Sequence, residues 1–426
     1  MKLNISIELK GMGRHVGSIT GTAVSDARFR YCADYIHAPD SISISASLPL
    51  QSEPFSPEQT RNFFDGLLPE GYTRRTVANW LHEDEASYLQ ILAALGKECL
   101  GALKVTDAEV QEEDPCSYKR LSLEQVRALA QEGASKSAEL VTKSHLSLTG
   151  ASGKVGLYYD RQSRQWYLPV GSAPSTHIVK QSHVRLDSIV TNEQLAILTA
   201  RKVGIDVPDT FIINTGDFAD EDVLFATARY DRVWSHHPAM ADGLPMPLRL
   251  HQEDFAQALG IPASAKYERQ GQHYFRDMFR VLRQYSSEPI QDQLKLWDLT
   301  VFNFLLGNTD AHLKNYSLLH GQNPKSQRLA PAYDLVSTTA YKTSTRQMSF
   351  RIGGRLSIDE INRTAFAEAA KEVGLGQRIA LSRFDDMADK FESALRQSAC
   401  ELSEAGYHSA VAMMQRVLET GGIHNL

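Results

Sequence analysis

The segment LWDLTVFNFLL, residues 296–306, constrains this chain more than any other stretch. It is the end of an amphipathic pattern from Pro289 to Leu306, with Leu294, Trp297, Val301, Phe304 and Leu305 on one broad face. Such a helix needs an apolar shell around it. Directly behind it comes GNTDAHLKNYS, Gly307 to Ser317. The end of a buried helix gives a reactive side chain a rigid mount. Asp310, His312, Lys314 and Asn315 follow one another there, with Asp and Asn in the spacing D-x-x-x-x-N. A carboxylate at the first position can accept the proton of an attacking hydroxyl, and an asparagine carbonyl a turn later can hold a cation. A short hairpin further on, the run APAYDL (330–335) offers a second metal carboxylate, Asp334. Alone, these residues would serve equally to close a helix and shape a polar turn.

Composition narrows the classes. The chain has 426 residues, enough for two or three domains with their own cores. A hydrophobic content of 42% with 23% charged residues is ordinary for a globular chain. No apolar run reaches membrane-spanning length. The first residues, MKLNISIELKG, alternate like a strand rather than forming a signal peptide. Cys32, Cys99, Cys116 and Cys400 are scattered, without zinc-like or disulfide-like spacing. The expected location is cytoplasmic. A formal charge of −6 argues against broad nucleic-acid binding by this chain alone.

Leu3, Ile5, Ile7 and Leu9 predict a half-buried strand, and Ile42 to Leu48 a second. Glycines 11, 13 and 17 have the wrong spacing for a dinucleotide fingerprint. Ser56-Pro57-Glu58-Gln59 reads as a capping box that opens a helix ending near Gly71, and another helix is expected from about Glu85 to Leu95. An acidic connector follows Thr106, and Ser122 to Gln125 opens a further helix. Next comes SLTGASGKVGLYYD, residues 147–160, in which small residues leave backbone amides accessible ahead of a strand. It fails the Walker pattern. Strands 154–159 and 165–169 form a hairpin, and a third, THIVKQS, presents Lys180. A strand lysine is often a solvated edge residue; its place after an amide-rich loop favours contact with phosphate. Glu193, in a helix from Asn192 to Val203, is a possible partner for it or a helix-dipole residue. Strands from Thr210 to Asn214 and Val223 to Tyr230 end in ARYDR, where Arg229, Tyr230 and Asp231 are candidates for a hinge between two lobes. Helices are expected at 251–259, 274–285, 358–373, 381–398 and 408–420.

In order, these are an amide-rich loop, a strand lysine, a helix, a hinge, a D-x-x-x-x-N loop and a metal carboxylate, the parts used for phosphoryl transfer by kinases. The sequence resembles the HipA family over nearly its whole length. FFDGLLPEG (63–71), SLTGASGK (147–154), THIVK (176–180), Asn192-Glu193, ARYDR (228–232), QEDFAQALG (252–260), KYE (266–268), GNTDAHLKN (307–315) and APAYDL (330–335) carry the likeness. The resemblance implies an α+β, bilobed protein-kinase-like fold. Its expected segments are a β-rich N-terminal subdomain (1–105), a connector with a helix (106–145), a kinase N-lobe (146–232) and an all-helical C-lobe (233–426).

The resemblance also implies a serine/threonine kinase toxin of a toxin–antitoxin pair that uses ATP and Mg2+. Its substrate would be an aminoacyl-tRNA synthetase, such as glutamyl-tRNA synthetase, and its partner a HipB-like helix-turn-helix antitoxin through which it meets operator DNA. A co-repressor with weak or absent catalysis is the alternative. By matched position Asp310 is the base, and Lys180 contacts ATP phosphates. Asn315 and Asp334 bind magnesium. Lys154 and the loop Thr149, Gly150, Ala151, Ser152 and Gly153 lie near the phosphates. Arg229 and Tyr230 flank the adenine, His312 and Lys314 keep motif positions, and Ser147 is the autophosphorylated serine. Ala228 departs from the acidic residue usual ahead of the hinge.

Overall fold

A computed structural model describes residues 1–109, 116–132, 154–181 and 186–426. The chain divides into two compact units, each assembled from separated segments.

The first unit comprises Met1–Gln181, Ala226–Ala263 and Leu318–Gln327. Strand β1 (Lys2–Leu9) alternates as its sequence requires, with Leu3, Ile5, Ile7 and Leu9 inside. It pairs antiparallel with β2 (Met12–Thr20) and with β4 (Leu103–Asp107), and β3 (Arg28–Tyr31) adds to β2. Helix Pro57–Phe64 starts with the expected reciprocal Ser56–Gln59 cap and buries Phe63 and Phe64 against this sheet's core.

Two local expectations fail here. Residues 42–48 form no strand, only an isolated bridge between Ser45 and Leu48. Their inward alternation arises because the Tyr31 phenol accepts from Ile44 N–H at 3.0 Å and donates to Leu48 C=O at 2.6 Å, threading an irregular segment through the core. Residues Gly71–Leu81 form a helix that the sequence reading passed over, and the next helix begins only at Tyr88. Neither N-terminus is closed by a side-chain hydrogen bond, although Ser87 stands at the N-cap of the second.

A second sheet holds β5 (Cys116–Arg120), β6 (Lys154–Asp160), β7 (Gln165–Gly171) and β8 (His177–Gln181) in the order β5-β7-β6-β8. The expected β6–β7 hairpin is present, and β6 pairs antiparallel with β8. Ser122 and Gln125 cap the Leu123–Glu132 helix reciprocally. In place of a helix over 251–259, a strand (Gln252–Asp254) precedes a short helix (Phe255–Ala258), with Asp254 as its cap.

The second unit comprises Ser182–Phe225, Ser264–Ser317 and Arg328–Leu426. It is helical in the main, with a small antiparallel pair, Gln347–Ile352 and Arg355–Ser357, among the helices. Its centre is the Pro289–Leu306 helix, where Trp297, Val301, Phe302, Phe304 and Leu305 are fully buried. Phe275 and Phe366 pack on Trp297, whose indole N–H donates to Ala380 C=O at 3.0 Å. Each fully buried Leu or Phe contributes about 1.5–3 kcal/mol. The helix opens on Pro289 and closes on Gly307 in the left-handed region (φ +76°). A β-carbon at Gly307 would stand 2.0 Å from Thr339 Oγ1. Glycine therefore fixes where the loop carrying Asp310 leaves the core.

Candidate active site

The second unit carries the D-x-x-x-x-N loop and Asp334. After Gly307 the loop folds onto itself. His312 N–H donates to Asp310 C=O at 2.8 Å, and Asn315 N–H to His312 C=O at 2.8 Å. Asn315 Nδ2 also donates to Asp310 C=O at 3.0 Å. Outside bonds hold the loop: Thr309 N–H donates to Thr338 Oγ1 at 2.8 Å, and Ser349 Oγ donates to Thr309 C=O at 2.8 Å. The carboxylate of Asp310 is exposed and accepts from the Tyr267 phenol at 2.5 Å.

Asp334 lies on the neighbouring loop. It is half-buried and adopts a left-handed backbone (φ +58°), uncommon for a residue with a side chain. The Tyr333 phenol donates to Lys314 C=O at 2.8 Å, tying the two loops together. The 307–315 and 330–335 motifs thus belong to one assembly inside this unit.

His312 is buried, and its Nδ1 has no hydrogen-bond partner among the described residues. Burial, with Lys266 and Lys314 nearby, lowers its pKa to about 3 against the opposing pull of Asp334, so the ring is neutral.

The donor set suits magnesium. Asn315 spends its amide nitrogen on Asp310 C=O, so its other terminal atom is a carbonyl oxygen, and Asp334 offers carboxylate oxygens on the adjoining loop. Among the described residues no group of three or more His, Cys, Asp or Glu could hold a metal. A hard cation held by one carboxylate, an amide oxygen and the oxygens of a nucleotide fits this set.

The first unit carries lysines. Lys154 on β6 and Lys180 on β8 are direct partners in the antiparallel register and project from the same face. Like charges so placed repel each other. Ser147, Thr149, Gly150, Ala151, Ser152 and Gly153 lie outside the described residues.

Arg229 is not where the sequence placed it. Its side chain is buried, with Nε on Asp231 Oδ1 at 2.9 Å and Nη1 on Ser175 Oγ at 2.9 Å. Glu98, Asp231, Arg232, Arg249 and Glu8 complete this ion cluster within the first unit. A guanidinium so committed does not flank an adenine, and the expectation for its side chain is corrected. Tyr230 is half-buried, and its phenol donates to Gln252 Oε1. Tyr267, within the KYE run, reaches Asp310 from 43 positions away, so no local spacing marks it as part of the site.

The fold is α+β and kinase-like. It superposes on the HipA chain of a Shewanella oneidensis MR-1 complex of HipA, HipB and operator DNA with a TM-score of 0.79, covering 98% of this chain and 97% of that one at 22% identity. Residues 8–106 match the HipA N-terminal domain and residues 146–395 the HipA-like C-terminal domain. Y4mE of Sinorhizobium fredii, a candidate kinase by its name, is 34% identical over 408 residues, 93% of each chain. The serine/threonine-protein kinase toxin HipA of Shewanella oneidensis is 24% identical over 395 residues, 90% of this chain and 86% of its own length. This chain belongs to the HipA family.

Proposed function

We propose that this protein is an ATP-dependent serine/threonine protein kinase acting as the toxin of a toxin–antitoxin pair. The observation that carries this reading is the Asp310 loop. An exposed carboxylate stands on a loop pinned at Thr309, with Asn315 bonded to its own carbonyl and Asp334 on the loop tied to it. Asp310 accepts the proton of the attacking hydroxyl, and its exposure suits a hydroxyl delivered by another protein. Lys180, with Lys154 beside it, binds the nucleotide phosphates. Asn315 and Asp334 would hold magnesium, which when bound neutralises charge on the phosphate oxygens. Ser147 is the proposed site of self-modification.

An antitoxin partner is supported by the HipB and operator DNA in the Shewanella complex. Aminoacyl-tRNA synthetases, glutamyl-tRNA synthetase first, are the substrates the family likeness nominates.

The test is transfer of labelled γ-phosphate to the chain itself and to glutamyl-tRNA synthetase. Asp310→Asn should lower transfer about 100-fold or more while the protein stays folded and keeps its affinity for ATP. An Asp310→Asn protein as active as the parent would overturn the reading. A parent that transfers no phosphate but represses its operator with its antitoxin would favour the co-repressor.

A further inference from the structure

Tyr267 is 44% exposed, yet its phenol is not simply left to water. It donates to Asp310 Oδ1 at 2.5 Å, a charge-assisted bond. Its ring stands edge-on against His312, with centroids 5.1 Å apart and planes at 86°. The Lys266 ammonium lies 5.7 Å from the ring centroid. Both flanks of Tyr267 are anchored. Leu313 N–H donates to Lys266 C=O at 3.4 Å, and Glu268 N–H donates to Ser349 C=O at 2.8 Å. The Glu268 side chain is buried and accepts from Arg351 at 2.8 Å and from Tyr274 N–H at 2.9 Å. Ser349 in turn donates to Thr309 C=O, next to Asp310. The strap 266–268 and the loop 309–313 are therefore built as one piece, and the phenol bridges its two edges.

We infer that Tyr267 is a positioning residue for phosphoryl transfer: its hydroxyl fixes the Asp310 carboxylate in the rotamer that meets the incoming hydroxyl. This rests on the kinase reading. An exposed aspartate without such a bond samples several rotamers, and a base displaced by about 1 Å can lose about 100-fold in rate. The His312 ring serves the same end, because its perpendicular packing holds the phenol ring in place.

The test uses the full chain with magnesium and ATP. Tyr267→Phe keeps the ring and removes the donor, whereas Tyr267→Ala removes both. The single-turnover rate of labelled phosphate transfer is compared with the Kd of a fluorescent ATP analogue. Tyr267→Phe should slow transfer about 10- to 100-fold with Kd changed less than twofold. Tyr267→Ala should be no more than a few-fold slower again. Adding Tyr267→Phe to Asp310→Asn should change nothing further. Transfer at the parent rate in Tyr267→Phe but not in Tyr267→Ala would make the ring a packing element and overturn the inference. So would a loss of transfer matched by a loss of nucleotide affinity. If Asp310→Asn itself keeps the parent rate, the kinase reading fails; if only Tyr267→Phe does, that reading stands and the positioning role alone falls.

Discussion

Two nitrogens of Arg249 meet a single carboxylate oxygen of Glu98: Nε at 2.9 Å and Nη2 at 2.5 Å from Oε2. The other oxygen, Oε1, takes Nη2 of Arg232 at 2.7 Å and Nη1 of Arg229 at 3.3 Å. One glutamate thus bridges three arginines inside the first unit, with Asp231 and Glu8 supplying the other two negative charges, and joins the segment before β4 to residues beyond 226.

Glu98→Ala should therefore be among the most destabilising single changes in the first unit. Removing one partner of a buried ion pair strands the others, and about 3–5 kcal/mol is the expected loss. Chemical denaturation followed by tryptophan fluorescence would read it. Burial alone would raise the Glu98 pKa, but Arg249, Arg232 and Arg229 hold it at about 2. A depressed carboxylate stabilises above its unfolded value of about 4.5 and loses that contribution as pH falls toward 2. The Glu98→Ala penalty should shrink over that window, and an equal penalty at pH 2.5 and pH 7 would refute it.

Destabilisation should begin earlier on the acid side because of a histidine pair. His251 and His320 are buried, with ring centroids 5.1 Å apart. His251 Nε2–H donates to Ile44 C=O at 2.8 Å. Burial lowers their pKa values to about 3 and about 4, from 6.5. A histidine kept neutral stabilises above its unfolded pKa, and the contribution drains away as pH falls toward the folded value. Between pH 6.5 and pH 5 the pair should cost about 3 kcal/mol. Melting temperatures of a His251→Gln, His320→Gln variant should fall less steeply over this range than those of the parent.

How much of this was visible in the sequence depends on the distance between cause and effect. The β1 strand, the Ser56 cap and the β6–β7 hairpin follow from neighbouring residues, and they are where the pattern puts them. The loop from Asp310 to Asn315 was legible because its bonds run within the motif. The segment 42–48 misled because its alternation answers to phenols from Tyr31 and Tyr35 rather than to a paired strand. Arg229 misled for a related reason: beside the local Asp231, its buried partners Glu98 and Ser175 stand 131 and 54 positions away, and no spacing marks them. Tyr267 reaches Asp310 across 43 positions, equally silent in one sequence.

A carboxyl group sets the opposite pH sensitivity. Glu253 is buried, accepting from Ser45 Oγ at 2.5 Å and Ala46 N–H at 2.9 Å. Burial outweighs those bonds and pushes its pKa up to about 8. A raised carboxyl stabilises below its unfolded value of about 4.5 and loses that contribution as pH rises through about 8. Glu253→Gln keeps the shape without a charge to bury, so it should become more stable than the parent between pH 7 and 9. A parent whose stability is flat over that interval would show that Glu253 is already ionised.

Gly307→Ala tests whether the end of the central helix governs the reactive loop. The left-handed backbone alone costs an alanine about 1 kcal/mol. Its β-carbon would also meet Thr339 Oγ1 at 2.0 Å and Gly421 Cα at 3.0 Å, contacts that only displacement can relieve. The same residue's carbonyl accepts from Thr338 N–H and Thr339 N–H, both at 3.1 Å, so any shift of Gly307 is passed to Thr338, which holds Thr309. The expected loss is about 2–4 kcal/mol, together with a fall in phosphate transfer larger than the fall in folded fraction. Combining Gly307→Ala with Thr339→Ala removes the nearest clash and should recover part of both losses. The two changes would then be non-additive by about 1 kcal/mol in a double-mutant cycle. Additive effects, or a Gly307→Ala protein that melts lower but transfers phosphate at the parent rate per folded molecule, would separate the helix end from the placement of Asp310.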